Sequence, residues 1–227
     1  MTTLVALSTG VSLEIKLSSP PTTASNAEHK SLAILLHPWS RLGGRYSDPV
    51  LLSLTTPLHA KGYHVIRYNS RGVGRSTGWA SLTGSSEAND LAALVEWALS
   101  EVGNVRKVVV LGYSYGALIA SLQPILEGIE TAHILLSYPI AVRGWLTLFN
   151  HKKYEAALRG LLGNPKGNLL VVYGDGDDFT AVETYRRWKD AFSRDCKLEV
   201  VEVAGATHFW RDSDGVELVG IVEKWLA

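Results

Sequence analysis

Only one of the 227 residues is a cysteine, Cys196, so no intrachain disulfide can form. A chain that does without disulfides fits a reducing compartment, and the cytoplasm is expected. Charge of one sign is also missing. The 22 Lys and Arg balance the 22 Asp and Glu, with a formal net charge of +0 and a pI near 7.1. That balance leaves no basic stripe for nucleic acid and no charged tail. No apolar run approaches the ~20 residues of a membrane span. The opening Met1-Thr2-Thr3-Leu4 has neither the charged region nor the long apolar stretch of a signal peptide. Neither nucleic acid nor membrane is therefore expected as a partner. There is no H-E-x-x-H pattern, cysteine cluster or P-loop, so no metal or other cofactor is expected. Repeats, low-complexity tracts and linkers are absent as well, and residues 1–227 read as a single domain. The sequence sets no oligomeric state.

What is present suits an ordinary globular core, with 46% hydrophobic and 19% charged residues. Short apolar runs alternate with helix-period segments, the rhythm of a parallel α/β sheet. Leu4–Leu7 and Ser12–Leu17 read as two opening antiparallel strands, followed by a solvated loop over Ser18–Lys30. Further strands are expected at Ser31–Leu36, Tyr63–Tyr68, Lys107–Leu111, His133–Ser137, Leu169–Tyr173 and Leu198–Val203. Asp48-Pro49 is a helix start, because Asp caps and Pro suits the first turn. Gly62 is placed to stop that helix in a left-handed conformation. Leu91, Leu94, Val95 and Ala98 follow the spacing of a helix lying on a sheet. Thr180-x-x-Glu183 reads as a capping box, opening a helix with Val182, Tyr185, Trp188 and Phe192 on one side. Leu218, Val219, Val222 and Leu226 share one face of a final helix.

Gly112-Tyr113-Ser114-Tyr115-Gly116 is a G-x-S-x-G pattern. Alone it is a weak signal, since short Gly/Ser patterns arise by chance. Its context carries the weight: a buried strand runs into it and a helix runs out, as at a strained nucleophile elbow. An ordinary strand-to-helix turn with a capping serine is the plainer alternative. A serine hydroxyl needs a base, and in such elbows the partners follow in the order acid, histidine. His133, His151 and His208 follow Ser114. His133 is expected to open a strand and His151 a helix, whereas His208 lies in a loop just after the last strand. That is where an open α/β sheet holds its site. Asp175, Asp177 and Asp178 crowd the loop after Leu169–Tyr173. The other candidate loop, after Ser137, has no acid before Glu155. The acid therefore comes from Asp175–Asp178.

These features together resemble the α/β-hydrolase superfamily, over nearly the whole chain from Ser31 to Leu226. His37-Pro38-Trp39 with Gly43-Gly44 looks like the oxyanion loop after the third strand. Asn69-Ser70-Arg71-Gly72-Val73-Gly74-Arg75-Ser76 looks like the R-G-x-G-x-S turn after the fourth strand. Gly112–Gly116 matches the elbow, and Gly174-Asp175-Gly176-Asp177 matches the G-x-x-D acid turn. The resemblance implies a three-layer α/β/α sandwich around a mostly parallel eight-stranded sheet. It singles out Asp177 as the acid, completing a catalytic triad of Ser114, Asp177 and His208. It also implies an oxyanion hole made by the N–H of Tyr115 and one from Trp39 or Ser40, since Pro38 has none. His37 reads as structural. Pro139–Gly167, where relatives often insert a lid, has room for about one helix, so a minimal cap is expected.

Gly72-x-Gly74-x-x-x-Gly78 follows a strand but opens no clear helix, so a dinucleotide site is not supported. Aromatics crowd the expected site: Trp39, Trp79, Tyr113, Tyr115, Trp145, Phe179, Phe209 and Trp210. Core packing is the plain reading of any one of them, and together they suggest an aromatic-lined pocket. Trp39, Tyr113, Trp145 and Phe209 are the expected substrate contacts. Arg71, Arg143 and Arg211 fall nearby, without making a case for an anionic substrate. The expected partner is a small-molecule ester or lactone with an apolar or aromatic acid. Thioester or amide hydrolysis, lyase chemistry and non-catalytic binding use the same fold.

Overall fold

The computed structural model describes residues 2–21, 29–148, 150–191 and 195–227. Eight strands form one sheet: β1 (Thr3–Ala6), β2 (Ser12–Ser18), β3 (Lys30–Leu36), β4 (Tyr63–Tyr68), β5 (Val105–Tyr113), β6 (Glu130–Leu136), β7 (Asn168–Gly176) and β8 (Lys197–Thr207). Their order across the sheet is β1-β2-β4-β3-β5-β6-β7-β8. β2 runs antiparallel to both its neighbours, and every pairing from β4 through β8 is parallel. Seven helices are described: α1 (Pro49–Ala60), α2 (Ser85–Val102), α3 (Tyr115–Ala120), α4 (Arg143–Leu146), α5 (His151–Leu162), α6 (Val182–Asp190) and α7 (Asp212–Trp225).

Successive strand side chains point to opposite faces, and each central strand therefore feeds two cores. Leu32, Ile34, Val108, Val110, Leu169 and Val171 pack on one face, against α2, α3, α5 and α6. Ala33, Leu35, Val109, Leu111, Leu170 and Val172 pack on the other, against α1 and α7. This is the expected three-layer sandwich. Leu91, Leu94, Val95 and Ala98 are all buried on α2, and Leu218 and Val222 on α7. Asp48 caps α1 by accepting from the Val50 N–H at 2.9 Å, and Gly62 follows the helix at φ 80°.

Three expectations change. α6 starts at Val182 behind Ala181, with no side-chain cap. The Thr180 N–H is taken instead by the Asp177 carboxylate at 2.9 Å, so Thr180 belongs to the acid turn and not to a capping box. Phe192 and most of the Ser18–Lys30 loop lie outside the described residues. His133 does not open its strand: β6 begins at Glu130, and His133 is buried midway along it. Finally, the segment after β6 carries two helices. α5 buries Tyr154, Leu158, Leu161 and Leu162 and belongs to the sandwich. The single turn of α4 is what remains as a cap. Among the described residues, no helix is long and apolar enough to cross a membrane.

Candidate active site

The site is built where β5 meets α3. Ser114 links them at φ 55° and ψ −119°, a conformation that costs a non-glycine residue energy. The glycines on either side allow that turn to close. A Cβ on Gly112 would strike the Gly116 carbonyl and Ala117, and one on Gly116 would strike the carbonyls of Leu36 and His37. Ser114 does not cap α3 with its side chain. Its Oγ lies 2.9 Å from His208 Nε2. His208 follows β8, and its Nδ1 lies 2.8 Å from Asp177 Oδ2. Asp177 can only accept at that contact, so Nδ1 carries the proton and Nε2 is left to accept from the serine. All three side chains are buried.

Asp177 is itself held. Its Oδ1 accepts from the N–H groups of Phe179 and Thr180, both at 2.9 Å. Burial pushes its carboxyl up, but the hydrogen bond and charge of His208 and these two N–H donors outweigh burial and hold it below the usual range. Its neighbours are occupied elsewhere. Asp175 accepts from the Gly205 N–H at 2.6 Å, and Asp178 reaches the His208 backbone N–H only at 3.4 Å.

The loop that carries His208 is anchored from two sides. The Tyr113 hydroxyl donates to the His208 carbonyl at 2.9 Å, and Trp210 Nε1 donates to Ser137 Oγ at 3.0 Å. Phe179 sets its ring edge-on to His208, 4.5 Å between centroids. His37 is buried directly after β3. Its Nε2 accepts from the Ser70 N–H at 3.0 Å, which makes Nδ1 the donor to Pro38 O at 2.6 Å. Burial drops its pKa to about 4, so it is neutral and structural.

A cleft of about 390 Å³ opens over Ser114 and His208. Trp39, Tyr113, Trp145 and Phe209 all line it, and Phe179 joins them. Tyr113 does so with its hydroxyl already committed to His208. Trp39 lines the cleft and Ser40 does not; Ser40 faces a separate crevice with His37 and Arg41. Tyr115 is the first residue of α3, so its N–H has no acceptor one turn back. Its ring lies outside the cleft. Trp79 is 89% exposed and lines no part of the cleft, and Trp210 is core. The three arginines are engaged elsewhere. Arg71 pairs with buried Asp90 through two contacts of 2.7 Å, Arg143 neighbours Glu155, and Arg211 lies over the outer ring of Phe209. The R-G-x-G-x-S turn is thus structural. Its Arg75 and Asn69 bind buried Glu14, tying the turn to β2. Pro139, Val142 and Leu146 complete the apolar wall, and no sequence pattern marked them.

Residues 9–139 match the X-Pro dipeptidyl-peptidase (S15) family, a span that includes Ser114 but ends before Asp177 and His208. An uncharacterized protein of Rickettsia prowazekii is 27% identical over 183 residues, covering 79% of this chain and 72% of that one. A solved α/β serine hydrolase homologue from Coxiella burnetii superposes with a TM-score of 0.81 at 23% identity, covering 100% of this chain and 97% of its own. A Butyrivibrio proteoclasticus protein solved with ferulic acid bound gives a TM-score of 0.77 at 20% identity, covering 100% and 97%. At these identities the two structures establish the fold, and the family match covers more than half of the chain. The chain belongs to the X-Pro dipeptidyl-peptidase (S15) family and is a hydrolase of the α/β-hydrolase fold.

Proposed function

We propose that this protein is a serine esterase that cleaves small apolar or aromatic carboxylic esters or lactones through an acyl-enzyme on Ser114. The observation that carries this reading is the continuous relay Ser114–His208–Asp177, with contacts of 2.9 and 2.8 Å, opening onto an apolar cleft. In this reading Ser114 Oγ attacks the ester carbonyl while His208 Nε2 takes its proton. The oxyanion is held by the N–H groups of Tyr115 and Trp39. His208 returns the proton to the leaving alcohol, and water repeats the sequence to free the acid. Asp177 holds the tautomer and the imidazolium and stays ionised. The aromatic lining supports an apolar acid, and the Butyrivibrio protein binds ferulic acid, an aromatic carboxylic acid, on the same fold. The single cysteine supports a cytoplasmic setting, and balanced charge supports a small-molecule partner rather than nucleic acid.

The family name favours a second reading, release of dipeptides. A substrate amine would need an anionic partner, and among the described residues Asp48 is the one carboxylate lining the cleft, though it already caps α1. The two readings separate on p-nitrophenyl esters from acetate to palmitate beside an X-Pro p-nitroanilide. The esterase reading expects short esters to be cleaved fastest, with rates falling as the chain lengthens. It also expects Ser114→Ala to lose on the order of 10⁴-fold or more in rate and all labelling by a fluorophosphonate. A preference for the anilide would favour the peptidase, and equal labelling of both proteins would remove Ser114 from the mechanism.

A further inference from the structure

Behind the cleft lies a second groove of about 170 Å³. It is lined by Arg41, Ser81, Leu82, Tyr115 and Leu148, together with Trp39, Trp145 and Leu146, which also line the cleft. The two spaces therefore share one wall. That wall is thin. Trp39 and Trp145 meet edge to face, 5.2 Å between centroids and 76° between planes. Trp145 is 67% exposed on the one-turn α4, so little besides this contact fixes its ring.

We propose that the Trp39–Trp145 pair is a partition that sets the length of acyl group the enzyme accepts, with Trp145 as the specificity-determining residue. The proposal rests on Ser114 being the nucleophile. With the partition in place, an acyl chain ends against the indole of Trp145. Without it, the chain continues into the second groove, where Leu82, Tyr115 and Leu148 offer an apolar bed for an alkyl or aryl tail. The partition supplies a length limit with almost no lid, because the stop is one side chain on the one-turn α4.

The test compares labelling rates of ethyl and dodecyl fluorophosphonates on wild type, Trp145→Ala, Trp145→Phe and Trp79→Ala. These probes report acyl-pocket length at Ser114 without requiring the natural ester. Trp145→Ala should raise the ratio of dodecyl to ethyl labelling on the order of tenfold, the effect of burying about two further methylenes. Trp145→Phe, which narrows the wall without removing it, should give a smaller rise. Trp79 lines neither space, so Trp79→Ala should leave the ratio unchanged. An unchanged ratio in Trp145→Ala, with ethyl labelling intact, would overturn the partition and leave the nucleophile standing. No labelling of wild type by either probe would overturn the Ser114 reading, and the partition with it.

Discussion

Asp177→Asn replaces one oxygen by an NH₂ group, and the surroundings decide which one. Oδ1 accepts from two backbone donors, Phe179 N–H and Thr180 N–H, while Oδ2 faces His208 Nδ1. An asparagine that kept its oxygen toward His208 would aim NH₂ at both backbone donors. Leaving two buried donors unsatisfied costs about 1–3 kcal/mol each. The other orientation keeps both backbone bonds and points NH₂ at Nδ1. His208 then answers by moving its proton to Nε2, which preserves every hydrogen bond of the acid turn. That orientation wins, and it disables the base, because a protonated Nε2 cannot take the Ser114 proton. The fold should be intact and the rate low. A wrong tautomer costs on the order of 10⁴-fold, or about 5.4 kcal/mol of transition-state stabilisation. The assay is kcat/KM for p-nitrophenyl acetate, with thermal unfolding as the control for folding. Asp175→Asn and Asp178→Asn should each stay within about tenfold of wild type, because neither carboxylate touches the His208 ring. Asp177→Asn within about tenfold of wild type would refute the tautomer argument. An inactive Asp178→Asn would move the acid by one residue.

Two further outcomes are expected. Tyr113→Phe keeps the ring against the cleft but removes the donor to the His208 carbonyl. It should lower kcat on the order of several-fold with KM nearly unchanged, because the lost bond positions the base and not the substrate. A change confined to KM would make Tyr113 a substrate contact instead. Stability should also fall on mild acidification. His37 and His133 are buried, and burial drops both to a pKa of about 4, against about 6.5 in an unfolded chain. The unfolded chain therefore binds more protons between those values. Stability is lost as pH falls from about 6.5 toward 4, at up to about 1.4 kcal/mol per pH unit for each histidine. Asp177 acts lower. Its depressed carboxyl stabilises above the usual carboxylate pKa, and that contribution disappears as pH falls through its folded value. Urea unfolding midpoints across this range check both, and a flat profile down to about pH 4.5 would refute the histidine contribution.

Much of this protein is local enough to be read along the chain. A strand buried on both faces must be apolar throughout, which is why β3, β5 and β7 stand out. A turn as tight as the one at Ser114 needs glycine on both flanks, so Gly112 and Gly116 mark it. Asp48 and Gly62 mark the ends of α1 for equally local reasons. The order serine, acid, histidine placed His208 and narrowed the acid to three neighbours. Choosing Asp177 among them took a family pattern, and the geometric reason appears only in three dimensions. One carboxylate turns toward His208, while Asp175 is drawn to Gly205 and Asp178 falls short. The capping box at Thr180 looked sound as a pattern and failed, because the Asp177 carboxylate took the Thr180 N–H first. The aromatic list named the right neighbourhood and could not divide it. Whether a tryptophan is exposed like Trp79, core like Trp210, or a wall like Trp39 and Trp145 depends on which distant segments meet it. Those meetings join residues about a hundred positions apart, such as Trp39 with Trp145 and Tyr113 with His208. Local spacing carries no record of them, and only the packing of the sheet and its loops decides them.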